Sequence, residues 1–372
     1  MERLWFWGPV ALAGLLILQA GAGFADERPL DAAAPEQPAL FSGELELETE
    51  NDWTFRSDDA ANELNDLFNT IELTGGVNLS RAISAQVHLT YDPVLDPTGG
   101  RAFPDHGLYA EEIYGQYEGE RVRLFAGKFN PAFGTAWDRA PGVYGVDFAE
   151  DYELAERLGL GGAIKIGSTR AGTLTLTGNA FALDTSKLSD SLFTSRGRTR
   201  RSDGGVSNTE SLESFSVTLD GSEIPDLTDA GYHLGYRFQK RGRGPDDVAD
   251  EHGLVAGLHG ARQMSGAKLE WVGEVVYLDN AEGTRDELWY YTLGTAVSFA
   301  QYNLAVSYTG RPRMVEGGPD LDDRQIQVSA GVEMFDGWAC DVGYKFHVED
   351  GGDNHTVGLQ LAKAFEINIP RR

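Results

Sequence analysis

The sequence predicts an all-β fold, a transmembrane antiparallel up-and-down β-barrel of about 16 strands. Three observations predict it. The N-terminus reads as an export signal with no membrane-length helix after it. Short segments alternate apolar and polar residues with period two. The joints between those segments alternate between tight and long.

Met1, Glu2 and Arg3 precede an apolar run over 4–18, followed by the small residues Ala20, Gly21, Ala22, Gly23 and Ala25. A short apolar run with a small-residue finish is the pattern of a secretory signal peptide, here residues 1–25 with the cut before Asp26. An uncleaved anchor would need about 20 apolar residues. No later stretch approaches that length, so a mature chain in a membrane must cross it as strands closed into a barrel. Residues 26–40 read as an N-terminal linker rich in Ala, Pro and Glu, and 41–372 as the barrel. The formal net charge of −27, from 58 acidic against 31 basic residues, argues against nucleic acid as a partner. Cys340 is the single cysteine, which excludes an intramolecular disulfide framework; it reads as a small apolar strand residue.

The alternation begins in FSGELELETE, where Phe41, Leu45 and Leu47 share one side and Glu44, Glu46, Glu48 and Glu50 the other. It recurs in NTIELTGGVNL and SAQVHLTY, then in ERVRLFAG, TLTLTGNA, YHLGYRFQ, QYNLAVSYTG, QIQVSAGVEM, WACDVGYKFH and HTVGLQLAKAF. Such segments suit strands with one lipid face and one inner face. Tight joints fall at Ser80–Arg81, Gly119–Glu120, 168–172, Ser265–Gly266, Ala300 and Asp336–Gly337. Long polar joints fall at 51–66, 92–107, 130–156, 185–210, 240–251, 279–287, 311–323 and 349–353. Brief turns on one side and extended loops on the other place both termini on the short-turn, periplasmic side. The joint at 221–226 is longer than this scheme wants. Aromatic residues such as Tyr91, Tyr117, Trp289, Tyr291, Phe299, Tyr302, Phe335, Trp338 and Phe365 fall near strand ends, where they would form interfacial belts.

The segment 125–160 contains Gly127, Lys128, Phe129, Pro131, Phe133 and Gly134, then Glu156 and Arg157 before the next strand. It is similar to a Gly-Lys-Phe-x-x-Pro-Phe-Gly run and a later Glu-Arg in Gram-negative outer-membrane porins, especially the porin O/P (phosphate-selective porin) group. That resemblance implies a porin in the cell outer membrane, and a homotrimer. Two departures separate this chain from the group. Phe365 is followed by 366–372 where those porins end on an aromatic residue, and a strongly acidic chain lacks the ladder of bases that phosphate selectivity requires. The architecture is therefore taken from the resemblance and the phosphate is not.

Placing the apolar face toward lipid turns the other face inward. The acids expected there are Glu44, Glu46, Glu48, Glu50, Glu72, Glu112, Glu118, Glu270, Glu274, Glu333 and Asp341. The bases are Arg121, Arg123, Arg157, Lys165, Arg237, Lys268 and Lys345. A passage so lined prefers cations. The joint 130–156 is the candidate for a loop folding into the bore. Its Asp138, Asp147, Glu150, Asp151 and Glu153 would face Arg121, Arg123 and Arg157 as the pore constriction. Arg196, Arg198, Arg200 and Arg201 cluster in the joint 185–210, which reads as a mobile polar loop.

The acid-rich tips lack EF-hand spacing, so no metal site is expected, and no cofactor is implied. There is no GxSxG, HExxH or P-loop. The sequence thus reads as a non-enzymatic porin, a passive channel for small polar solutes or ions. Its partners are outer-membrane lipid, lipopolysaccharide and the solutes themselves. Two other classes fit less of the pattern: a barrel hydrolase of the phospholipase kind, and a soluble secreted β protein that binds carbohydrate.

Overall fold

The computed structural model describes residues 38–169, 171–224 and 229–371. The expected signal peptide and most of the linker lie outside the described residues, as does part of the joint at 221–226. The strands are β1 (Phe41–Ser57), β2 (Asn65–Asn78), β3 (Ile83–Pro93), β4 (His106–Glu118), β5 (Val122–Phe129), β6 (Arg157–Thr169), β7 (Gly172–Leu183) and β8 (Leu192–Phe193). They continue as β9 (Ser214–Ser222), β10 (Ala230–Gln239), β11 (Glu251–Met264), β12 (Ala267–Asp279), β13 (Glu287–Phe299), β14 (Tyr302–Met314), β15 (Leu321–Glu333), β16 (Ala339–Glu349) and β17 (Gly352–Ile369).

All but the two-residue β8 form one closed antiparallel barrel of 16 strands. Wall strands pair with their sequence neighbours, β7 pairing directly with β9, and β1 pairs with β17 from Phe41↔Ile369 to Ser57↔Asn354. That last pairing leaves no open edge, which is what a sheet in hydrocarbon requires.

Period two in the sequence becomes two faces of this wall. On β14 and β15, Leu304, Val306, Ile326 and Val328 are exposed on the outer surface, while Ser307, Thr309, Gln325 and Gln327 are buried on the inner one. Cys340, opposite the outward Leu361, belongs to the outer face. Aromatic side chains collect near both rims. Trp289 stacks on Tyr291 with ring centroids 5.8 Å apart, next to the long joint before β13; Phe299 and Tyr302 meet at 5.7 Å across the tight turn after it. An apolar outer belt with aromatic rims makes this a transmembrane barrel of the outer-membrane kind.

Three joints differ from the sequence expectation, and the one expected over 311–323 is shorter because β14 runs on to Met314 and β15 starts at Leu321. The joint expected over 349–353 is a two-residue turn, Asp350–Gly351, with φ of 50° and 78°. An Asp-Gly pair adopts that left-handed geometry with little penalty, and its twist matches the flanking strands. The joint expected from residue 51 begins later, because β1 runs on to Ser57 and pairs Trp53 with Asn65. The backbone ladder continues beyond the amphipathic stretch, where alternation gives no signal.

Two irregularities shape the interior. Between His88 and Leu89 the β3–β4 register slips, so His88 faces Glu112 and Leu89 faces Ala110. The bulge leaves Glu111 unpaired and turns it inward beside Glu112. β5 ends at Phe129, and its pairing with β4 stops at Ile113↔Lys128. The upper end of β4 pairs instead with β8, Gly107↔Phe193 and Leu108↔Leu192.

Candidate functional site

The chain leaves β5 at Asn130 and returns to the wall at Arg157, and the segment between is bound to inward-facing side chains of distant strands. Phe133, Ala136, Ala140, Val146, Ala149, Tyr152 and Leu154 pack against Val255, Val272, Val276, Leu278, Leu288 and Tyr290 of β11–β13. The principal apolar core thus lies inside the barrel, between this loop and one side of the wall. β12 is apolar on both faces for this reason: Trp271 and Val275 point outward, Val272 and Val276 toward the loop.

Glu274 of β12 is the densest polar anchor. Its carboxylate, 3% exposed, accepts the Thr135 N–H at 2.8 Å, the Thr135 hydroxyl at 3.0 Å, the Ala136 N–H at 3.0 Å and the Tyr152 hydroxyl at 2.6 Å. Thr135 and Ala136 begin the single-turn helix Ala136–Arg139, whose free N–H groups need an acceptor. His233 Nε2 accepts the Gly134 N–H at 3.0 Å, while Nδ1 lies 2.7 Å from Asp220. Both ring nitrogens are thus engaged, and the His233–Asp220 pair anchors the loop at Gly134.

Further along, Gln327 and Gln325 of β15 donate to the carbonyls of Pro141 and Tyr144. The Tyr144 hydroxyl donates to Asp52 of β1 at 2.5 Å. Lys345 of β16 meets Asp147 at 2.8 Å, and Arg311 of β14 meets Asp151 at 2.7 Å. Arg237 of β10 donates to the Tyr152 carbonyl at 2.6 Å and pairs with Glu251 at 2.8 Å. Small wall residues make room: a methyl group at Gly294 would collide with the Pro141 ring, and one at Gly358 with the Tyr144 hydroxyl.

The residues expected at a constriction are therefore divided. Asp147 and Asp151 are paired with wall bases, Asp138 is exposed on the short helix, and Glu153 accepts from Asn130 Nδ2 at 2.9 Å. Glu150, half-buried, lies in the following 3₁₀ turn. Arg157 opens β6 at the loop's return, and its Nε has no hydrogen-bond partner among the described residues. Arg123 lies lower on β5, its guanidinium 3.2 Å from the Tyr114 hydroxyl. Arg121 is exposed in the short turn before β5, at the opposite end of that strand from the loop, and belongs to no such grouping.

The expected inward acids separate just as sharply. Glu270 pairs with Lys268 at 2.8 Å, and Glu274 is consumed by the loop. Along β1, Glu44, Glu46, Glu48 and Glu50 run on one face, and Glu46 lies directly opposite Glu72 of β2. His88 is the basic side chain paired with this group among the described residues, at 3.2 Å from Glu72 and 3.5 Å from Glu111. Glu153 of the loop joins the same patch, and its carboxyl is pushed up to about 8 by burial and then by the charges of Glu111 and Glu112. Among the described residues Glu46, Glu48 and Glu72 on this wall thus form no ion pair with lysine or arginine, whereas Arg237, Arg311 and Lys345 are each bound to a carboxylate.

Sequence reasoning missed Glu111, which strict alternation sends to the lipid face, and Lys128. Lys128 is 1% exposed and sits 2.7 Å from Glu156 and 3.1 Å from Asp184. Arg196 pairs with Glu156 and its guanidinium lies 3.8 Å over the Tyr109 ring, so the joint 185–210 is tied down through Arg196. Arg198 donates to the Thr185 carbonyl, and Arg200 and Arg201 begin a 3₁₀ turn.

No family model matches the sequence, and no curated protein is similar to it. Solved structures do match the fold. OprB from Pseudomonas putida aligns with a TM-score of 0.62 at 10% identity over 87% of this chain and 94% of its own. The outer membrane channel DcaP of Acinetobacter baumannii gives 0.60 at 11% identity over 90% and 99%. OpdL of Pseudomonas aeruginosa gives 0.53 at 10% identity over 88% and 99%. At such identity the likeness concerns the fold: this chain is built like outer-membrane channel barrels of Gram-negative bacteria.

Proposed function

We propose that the protein is an outer-membrane porin, a passive channel for small polar solutes and ions that prefers cations. Its narrowest part is the space between the loop 130–156 and the acidic wall of β1–β4. The observation that carries this reading is the charge imbalance there. Glu46, Glu48 and Glu72 face the interior with His88 as the base ion-paired to them among the described residues, while Arg237, Arg311 and Lys345 elsewhere on the wall are each paired with a carboxylate. Fixed carboxylates in a confined aqueous space lower the energy of a passing cation and raise that of an anion.

The loop supports the same reading. It fills part of a barrel whose strand number encloses more space than wall side chains can occupy. Its anchors to β10–β16 draw most of it to that side, while Tyr144 reaches Asp52 of β1 and Asn130 reaches Glu111 and Glu112 of β4, so the loop borders the acids on one edge of the passage. The porin O/P resemblance fits the architecture, and with it a homotrimer in contact with lipid and lipopolysaccharide; the acidic lining argues against phosphate as the solute. Planar-bilayer recording tests the reading: conductance steps whose reversal potential under a salt gradient has the cation-selective sign support it, and folded protein that passes no current contradicts it.

A further inference from the structure

The segment that carries the porin resemblance holds a second device. Lys128 is the last but one residue of β5, Glu156 the last of the loop, Asp184 follows β7, and Arg196 lies in the outer loop 184–213. The Lys128 ammonium reaches Glu156 at 2.7 Å, Asp184 at 3.1 Å and the Leu188 carbonyl at 2.9 Å. Arg196 grips the other side of Glu156, with Nη1 at 2.7 Å from Oε1 and Nη2 at 2.5 Å from Oε2, and its Nε donates to the Ser189 carbonyl at 3.1 Å. Two cations and two carboxylates thus balance in a site from which solvent is nearly excluded, since Lys128 and Asp184 are each 1% exposed.

The stem of the inward loop closes on the same point. Asn130 accepts the Glu156 N–H at 2.8 Å through Oδ1 and donates to Glu111 and Glu153 through Nδ2. Glu156 itself has φ of 58°, a conformation that non-glycine residues adopt only when their surroundings impose it. Just outside, the wall lacks a β5 partner for upper β4, and β8 of the same outer loop supplies one.

We propose that Lys128, Glu156 and Arg196 form a brace through which the outer loop 184–213 sets the position of the inward loop 130–156. The three are positioning residues: they touch no passing solute, and they fix where the loop emerges and how tightly its stem is closed. The inference rests on the reading that the inward loop narrows the channel. It gives the Gly-Lys-Phe and Glu-Arg elements, twenty-odd residues apart in sequence, a shared physical role as the two sides of one clamp.

The test is Arg196→Ala, with Arg201→Ala as control, since Arg201 lies in the same outer loop but is about half exposed and, among the described residues, forms its ion pair with Glu210. A spin label at Asp138→Cys in a Cys340→Ala background reports loop mobility, and single-channel recording reports the bore. The brace predicts a mobilised label and open-channel noise raised several-fold in Arg196→Ala, no change in Arg201→Ala, and partial restoration in Arg196→Lys, which retains the charge but not the two-pronged grip. A label as immobile in Arg196→Ala as in the parent protein overturns the brace. A mobilised label with unchanged current upholds the brace and instead contradicts the reading of the loop as the constriction. Should Arg196→Ala fail to assemble, Arg196→Lys alone carries the comparison, and a label and current identical to the parent overturn the brace.

Discussion

Replacing Glu274 with alanine removes the acceptor of four donors at once: the N–H groups of Thr135 and Ala136 and the hydroxyls of Thr135 and Tyr152. Hydrogen bonds to a charged group contribute about 1.5–3 kcal/mol each, but water refills the vacated space on the bore side and restores part of that. A net loss of roughly 2–4 kcal/mol in docking this half of the loop is therefore expected. That corresponds to a roughly 30- to 1,000-fold fall in the ratio of docked to undocked loop. The barrel ladder is untouched, because Glu274 meets the loop through its side chain while its backbone stays in β12. The far half of the loop keeps its ties to Gln325, Lys345 and Arg311. Single-channel recording of Glu274→Ala should show higher mean conductance and noisier open levels, with thermal unfolding of the barrel little changed. Glu274→Gln, which retains one acceptor oxygen, should fall between. Conductance and noise equal to those of the parent protein, in correctly assembled Glu274→Ala, would refute the idea that this carboxylate holds a constricting loop.

Three further outcomes follow from the same geometry. Changing Glu46, Glu48 and Glu72 together to glutamine should shift the reversal potential toward zero while leaving the fold intact, since none of the three has a lysine or arginine partner to strand. Raising the pH from 7 to 9 should strengthen cation preference as Glu153 ionises near pH 8, and Glu153→Gln should remove that increment. The sign for stability is opposite: a carboxyl whose folded pKa is raised holds its proton more tightly when docked, so its support for the docked loop is present at low pH and lost as pH rises through about 8. Gly294→Val places a branched side chain against Pro141, and overpacking of this kind costs about 1–3 kcal/mol; thermal unfolding and channel noise should both register it, whereas Gly178→Val on β7, where no neighbour lies within 4 Å of the added carbon, should not.

How much of this is legible in the sequence depends on whether the information is local. The two faces of β14 and β15 follow from period two, because lipid on one side and water on the other act on every strand alike. The bounds of the 130–156 segment follow from the loss of alternation at Asn130 and its return at Arg157. What the segment does once inside depends on long-range pairing, as between Glu274 and Thr135, and no spacing rule announces it. The one visible trace is β12, where Val272, Val276 and Leu278 make the inward face apolar as well; two apolar faces on a strand of an amphipathic barrel imply a cover on the inside. Glu111 is illegible because a bulge breaks the alternation that would otherwise place it. Lys128 escapes because it stands in register with the outward Ile113, where alternation gives no reason to expect a buried base, yet the structure buries it between Glu156 and Asp184, a contact that exists because the loop's two ends and the next outer loop converge there. Asp350–Gly351 is the reverse case: its dipeptide announces a tight turn, and weighing it above the polar composition of 349–353 would have set that joint correctly.

The central claim is that an acidic wall, unneutralised by lysine or arginine, makes this barrel a cation-preferring passage. Reversal potential under a potassium chloride gradient across a planar bilayer tests it most directly, since potassium and chloride diffuse almost equally and the sign then reports the lining. The account predicts a potential of cation-selective sign that weakens in the Glu46, Glu48 and Glu72 glutamine variant. A potential of anion-selective sign, or one unmoved by those three changes, would contradict it.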